Sequence, residues 1–107
     1  MAYTSYHNIA GATAVTTKLI ARGSNANDIS SILITNTQGT NNGTITLFLQ
    51  DSTGTIVKNF NILSTVLLPP DTSLLLDDKS LLTFNNSVYD LFITVGSSDT
   101  VDVLINN

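Results

Sequence analysis

Few residues in this chain have the chemistry to act on a substrate. His7 is the only histidine, and there is no cysteine and no glutamate. A catalytic triad or a metal cluster needs partners held in space around such a group. Nucleophilic or general-base catalysis would have to use Asp, Ser or Thr without a second histidine, which is an unusual solution. Lying between Tyr6 and Asn8, His7 reads as a surface or contact residue. Asp77-Asp78 is the one acidic pair, followed by Lys79. Two adjacent carboxylates suit Ca²⁺, which takes several carboxylate and carbonyl oxygens. The simpler reading is a turn whose charge Lys79 screens. Asp51-Ser52-Thr53-Gly54 is also read as a turn, because it lacks the acidic density of a calcium loop. Asn42-Gly43-Thr44 and Asn85-Asn86-Ser87 match the glycosylation triplet. Ser, Thr and Asn make up 39 of the 107 residues, so such matches arise by chance. The sequence therefore points to no catalytic residue, no metal ligand and no cofactor, and the expectation is a non-enzymatic protein.

Composition narrows the class further. The length of 107 residues accommodates one hydrophobic core. Lys and Arg number 4 against 8 Asp, a net charge of −4. Four cations cannot neutralise a phosphate track, so nucleic acid is not an expected partner. No apolar run approaches the roughly 18 residues of a membrane-spanning helix, so no membrane partner is expected either. A hydrophobic content of 42% with low net charge is a folding composition. No charged segment followed by a continuous apolar stretch precedes Lys18, so a secretory leader is not expected and synthesis is placed in a cytoplasm.

The elements that must position these residues are strands. Thr, Val and Ile are frequent, and they pack well on a pleated surface. Apolar residues recur with period two: Ile45, Leu47 and Leu49; Tyr89, Leu91, Ile93 and Val95; Val101, Val103 and Ile105. About eight strands are predicted: Val15–Arg22, Asp28–Asn36, Thr44–Gln50, Thr55–Leu63, Thr65–Leu68, Ser73–Leu76, Leu81–Phe84 with Tyr89–Val95, and Thr100–Asn106. Two hairpins are expected, one across Asp51–Gly54 and one across Gly96–Asp99. Pro69-Pro70-Asp71 breaks the chain, since neither proline can donate to a ladder. The expected fold is all-β: a single antiparallel β-sandwich, immunoglobulin-like or jelly-roll-like, over residues 15–107. Residues 1–14 carry little pattern and read as an N-terminal arm ordered by a neighbour.

Some apolar residues fall on the polar face of their strands. Phe48 alternates with Thr46 and Gln50, Phe92 with Asp90 and Thr94, Leu104 with Asp102 and Asn106, and Ile20 with Lys18 and Arg22. Either these strands are central and covered by the other sheet, or they pack on another subunit. The runs Ile32-Leu33-Ile34 and Leu74-Leu75-Leu76 are apolar on both faces and read as central or interface strands. Edge strands are usually blunted by charge, and Lys18, Lys58 and Lys79 are nearly the only such guards. Phe48, Phe92, Leu104 and Ile20, with Tyr3 and Tyr6 on the arm, are the candidate interface residues of a chain built to self-associate.

The order of motifs supplies one further lead. Ser30-Ser31-Ile32-Leu33-Ile34-Thr35-Asn36 is followed by a polar loop and a Thr-rich strand. Then come Leu68-Pro69-Pro70-Asp71-Thr72-Ser73-Leu74-Leu75-Leu76-Asp77 and Asn86-Ser87-Val88-Tyr89-Asp90-Leu91. Over residues 28–106 this order resembles small virion structural proteins of tailed bacteriophages, particularly marine and cyanobacterial ones. Asp71 stands where that group often has Gly. The resemblance implies a β-sandwich used on the particle: head decoration or cement, neck, tail or fibre attachment. Its partners would be itself and other virion proteins, and its location the virion. A glycan- or host-surface-binding module is the alternative, with Phe48 beside Gln50 and Phe92 beside Asp90 loosely meeting the pattern. The absence of Trp leaves few stacking platforms for it.

Overall fold

The computed structural model describes residues 4–10, 15–24, 29–96 and 99–106. Eight strands run β1 (Thr4–Ala10), β2 (Val15–Ile20), β3 (Ser31–Asn36), β4 (Gly43–Asp51), β5 (Lys58–Leu68), β6 (Ser73–Leu76), β7 (Tyr89–Val95) and β8 (Thr100–Asn106). One short helix, α1 (Lys79–Leu82), lies between β6 and β7. The strands form two four-stranded sheets, ordered β1-β8-β3-β6 and β2-β7-β4-β5, and every pairing is antiparallel. Pairing joins β1 to β8, β2 to β7, β3 to β6 and β4 to β5. That is one long hairpin rolled into two layers, the jelly-roll arrangement. The strand order thus selects jelly-roll over immunoglobulin-like within the expected β-sandwich.

The period-two pattern does what it should. Ile32 and Ile34 of β3, Ile45 and Leu47 of β4, Ile93 and Val95 of β7, and Val101, Val103 and Ile105 of β8 are all buried between the layers. A one-residue slip in any of these strands would move its apolar set to the outside, so the pattern fixes register.

Several expectations are corrected. Thr4–Ala10 of the expected arm is not separate: it pairs with β8 as an edge strand of the same chain. Tyr3 and residues 11–14 of the arm lie outside the described residues, as does Asp28. The segments Thr55–Leu63 and Thr65–Leu68 are one strand, β5, which begins at Lys58. It is broken in register twice, between Ile45 and Leu47 and between Leu47 and Phe48 of its partner. At the first break Thr65 takes φ 50 and its N–H donates to Thr46 Oγ1 at 2.9 Å. Leu81–Phe84 is no strand. Asp78 caps α1 by accepting from Ser80 N and Oγ at 2.9 and 2.7 Å, and this local bond competes successfully with extended backbone. Leu82 and Phe84 still reach the core.

The second hairpin does not form either, because β7 and β8 lie in different sheets. The Gly96 corner crosses between layers instead. Gly96 N donates to Thr44 O, and Asp99 Oδ2 accepts from Thr44 N at 3.1 Å while its Oδ1 accepts from Gln38 Nε2 at 3.3 Å. A Cβ on Gly96 would collide with the Thr44 hydroxyl and the Asp99 carboxylate. The Pro69-Pro70-Asp71 break does turn the chain from one sheet to the other. Asp71 has φ 55, a left-handed conformation that glycine adopts freely and Asp tolerates better than most.

Candidate interaction surfaces

No titratable centre assembles among the described residues: no group of three or more His, Cys, Asp or Glu comes together there. Asp51 and Asp78 are occupied locally. Asp51 Oδ1 accepts from Thr53 Oγ1 and N at 2.6 and 2.9 Å. Those bonds hold its carboxyl below the ordinary 3.8. The Ser80 side-chain and backbone bonds do the same for Asp78. Asp51 closes a turn, as the sequence reading expected; Asp78 instead caps α1, where a turn between two strands was expected. The buried polar groups are also structural. Asn36 Nδ2 donates to Asn41 O, Leu68 O and Pro69 O, and Asn36 Oδ1 accepts from Gln38 N and Nε2. Asn86 Nδ2 donates to Ala21 O at 3.0 Å and its Oδ1 accepts from Ser24 Oγ at 3.2 Å. Each asparagine clips loops that local sequence does not connect.

What remains is surface, and the structure divides the expected interface residues among three places. Phe48 and Phe92 meet on the outer face of the β2-β7-β4-β5 sheet, directly opposite in register. Their rings stack at 5.3 Å with an interplanar angle of 9°. Lys18 Nζ sits over Phe92 at 5.6 Å from the ring centroid, within cation–π range. The same ammonium lies 3.8 Å from Asp90 Oδ1, and Asp90 also accepts from Arg22 N at 2.6 Å. Phe48 is only 9% exposed. The pair is mostly covered by its own chain, so it presents little bare ring to a sugar or a subunit.

Beside this stack runs a row of threonines. Thr16 faces Thr94, Thr94 faces Thr46, and the Thr16 and Thr94 hydroxyls are hydrogen-bonded at 2.9 Å. With Thr44, Ile45, Thr65 and Gly96, Thr46 and Thr94 line a shallow depression of about 180 Å³. It contains hydroxyls and no ionisable group.

Ile20 is a correction. A register shift between Lys18 and Ile20 puts both Leu19 and Ile20 into the core, and Ile20 is 1% exposed. Strict alternation from Lys18 and Arg22 had aimed it outward, and a bulge reverses alternation beyond itself.

Leu104 lies on the opposite side of the molecule, on the outer face of the β1-β8-β3-β6 sheet. There it faces Leu33, and Leu33 faces Leu75. The register also sets Tyr6 of β1 opposite Leu104. An apolar row thus crosses the sheet. Leu33 and Leu104 are half-buried and Leu75 is 55% exposed. On one side the row is flanked by Ser31 and Asn106, on the other by Asp102, Thr35 and Ser73. Leu33 and Leu75 were legible as residues of doubly apolar strands. β3 proves central and β6 an edge, so the second run is apolar on both faces without being central.

A third apolar group escaped the sequence. Ile56, Val57 and Phe60 at the β4–β5 tip are 72%, 55% and 49% exposed. Phe60 meets Tyr89 edge-on at 6.1 Å. The run around Val57 had read as the start of a strand, Thr55–Leu63. The edges are also better guarded than charge alone implied: β5 is bulged twice and β6 has 4 residues. Short and bulged edges resist strand addition without lysines.

No protein-family profile and no curated protein matches the chain. Among solved structures, one described as "Structure of infectious bursal disease virus Gx strain" aligns over 98% of this chain, at 16% identity and a TM-score of 0.45. The chain spans 32% of that protein's length. The tailed-phage attribution stands on the sequence resemblance alone.

Proposed function

We propose that this chain is a non-enzymatic structural protein of a virion, used as an auxiliary capsid protein that decorates or cements the shell by apolar contact. The observation that carries this reading is the leucine row across the outer face of the β1-β8-β3-β6 sheet, flanked by Ser, Thr and Asn and by one charged residue, Asp102. A face of that kind suits contact with another protein by apolar burial. Jelly rolls serve capsids, lectins and other roles alike, so fold alone does not choose among them; the apolar surface and the phage resemblance support the capsid reading. The edge strands contribute less than the faces, because three of them, β2, β5 and β6, are short or bulged. A bacteriophage particle is the setting that the motif order supports.

The test is localisation and copy number on purified particles, by antibody labelling in electron microscopy and quantitative mass spectrometry. Labelling spread over the head, at a copy number matching the shell's repeated sites, is expected. Confinement to a neck or tail, at a low multiple of its rotational symmetry, would replace decoration by a tail role. Absence from the particle would refute the structural reading altogether.

A further inference from the structure

We propose that β1 is an exchangeable strand: the β1 of one copy of this chain leaves its own β8 and takes the same place on the β8 of a neighbouring copy, tying the two together. The inference rests on the reading of the chain as a component packed beside its own copies on a shell, and it names the contact between them.

Three observations select this contact. First, the occupant of the β8 edge is already in place. Thr4–Ala10 lies along Thr100–Asn106 in an unbroken register, from Thr4 opposite Asn106 to Ala10 opposite Thr100. Main-chain bonds make such a ladder, and they do not distinguish the chain's own β1 from the identical strand of another copy. Exchange breaks and remakes one set of bonds, which makes it a low-cost route to association.

Second, β1 leans on its ladder more than on the core. Ile9 is its one residue in the buried apolar cluster among the described residues. The positions of the same parity, Ser5 and His7, are polar. Opposite them on β8 stand Ile105 and Val103, which belong to that cluster. A strand with few buried apolar contacts opens locally before the whole domain unfolds.

Third, no other edge competes as acceptor. β2 shifts register between Lys18 and Ile20, β5 shifts twice, and β6 has 4 residues. Once β1 has left, β8 offers 7 residues with no break in pairing. The geometry also says where the neighbour sits. From Ala10 to Val15 the chain reaches at most about 18 Å, and β1 and β2 lie in different sheets. The accepting β8 must therefore abut the β1–β2 side of the donor. That contact leaves Leu104, Leu33 and Leu75 free for the shell.

Because the chain has no cysteine, disulfide trapping is a clean test. Thr37 N donates to Thr100 O, so the even-numbered residues of β8 turn their main-chain groups to β3 and the odd-numbered ones to β1. Asn8 and Asp102 are then a non-hydrogen-bonded pair, with Cα atoms about 4.5 Å apart, within disulfide reach. Full-length Asn8→Cys and Asp102→Cys chains are mixed at high concentration, incubated and then oxidised. A disulfide-linked product at twice the 11.4 kDa chain mass is expected. Either chain alone should give little of it. So should Thr4→Cys mixed with Asp102→Cys, because Thr4 lies opposite Asn106. A chain carrying both Asn8→Cys and Asp102→Cys, oxidised at high dilution, should close its bond internally and keep the single-chain mass. That control shows that the substitutions leave the ladder intact.

A mixture that gives no product at twice the chain mass overturns the inference. So does an equal yield from the Thr4→Cys mixture, or a double variant that fails to close internally. Asn8→Cys chains linked to one another as readily as to Asp102→Cys would mean that two β1 edges pair, and would overturn exchange as well. Particle localisation is decided by a separate measurement, so the two ideas fall to different results.

Discussion

Replacing Asn36 by Ala should cost more than any other single polar change in the molecule. The side chain is fully buried. Its amide donates to Asn41 O at 3.0 Å, Leu68 O at 3.0 Å and Pro69 O at 3.2 Å. Its oxygen accepts from Gln38 N at 3.0 Å and Gln38 Nε2 at 3.2 Å. Truncation strands the buried Leu68 carbonyl, worth about 1–3 kcal/mol, and removes four partly buried bonds worth roughly 0.5 kcal/mol or more each. The expected loss is about 3–5 kcal/mol, a large share of the roughly 5–15 kcal/mol that holds such a domain together. Urea unfolding followed by circular dichroism should show an earlier midpoint with unchanged m. The melting temperature should fall by at least about 12 °C, at about 4 °C or more per kcal/mol.

Asn36→Asp sharpens the test. A carboxylate there would face three carbonyl oxygens in a desolvated site, so its folded pKa must rise above the ordinary carboxylate value of about 3.9. A raised folded pKa contributes stability that is present at low pH and lost as pH rises through it. The variant should therefore gain stability from pH 7 to pH 5, where the wild-type carboxylates Asp51 and Asp78, whose pKa values lie below 3.8, contribute no slope. A cost below about 1 kcal/mol for Asn36→Ala, or a flat pH profile for Asn36→Asp, would refute the reasoning.

The wild-type chain should lose stability as pH falls below 3.8. Asp51 and Asp78 titrate lower when folded than unfolded, so the unfolded chain binds the extra protons there; acid unfolding monitored by circular dichroism checks the sign. Gly96→Ala should destabilise by about 1–3 kcal/mol, since the new methyl meets Thr44 and Asp99, and thermal unfolding reads it. Thr65→Asn should stabilise by up to about 1 kcal/mol, because φ 50 strains a β-branched residue and Asn tolerates it; a lower melting temperature would count against the strained bulge. Ile20→Ser should unfold the chain or cost about 3 kcal/mol or more, whereas Ile56→Ser should stay within about 0.5 kcal/mol, the contrast expected of a core and a surface residue.

What the sequence made legible follows from what is local. Alternation is local, so the core faces of β4, β7 and β8 were readable from residue type. The turn at Asp51 and the break at Pro69-Pro70 are local too. The bulges were not readable. Nothing in Lys18-Leu19-Ile20 marks where β2 shifts register, and Ile20 changed sides because of it. The helical turn at Lys79–Leu82 was hidden because Leu82 and Phe84 keep a spacing of two whether the backbone is extended or coiled. The second hairpin failed for a different reason. A short polar turn can fold a strand back within a sheet or hand it to the other layer. Only the partners of Asp99 and Gly96, distant in sequence, decide which.

The same distinction bears on function. Outward apolar residues were recognised one strand at a time, which cannot say whether they share a face. The fold sends Phe48 and Phe92 to one side, where they satisfy each other under Lys18. It sends Leu104 to the other, where Leu33 and Leu75 extend it into a line. An aromatic pair that stacks within its own sheet has little left to offer a partner, however exposed it looks in a pattern of alternation. A line of leucines with its end more than half bare still offers Leu75 to a partner. The jelly-roll order alone puts β8 between β1 and β3, and so makes three unremarkable leucines from distant parts of the chain into one surface.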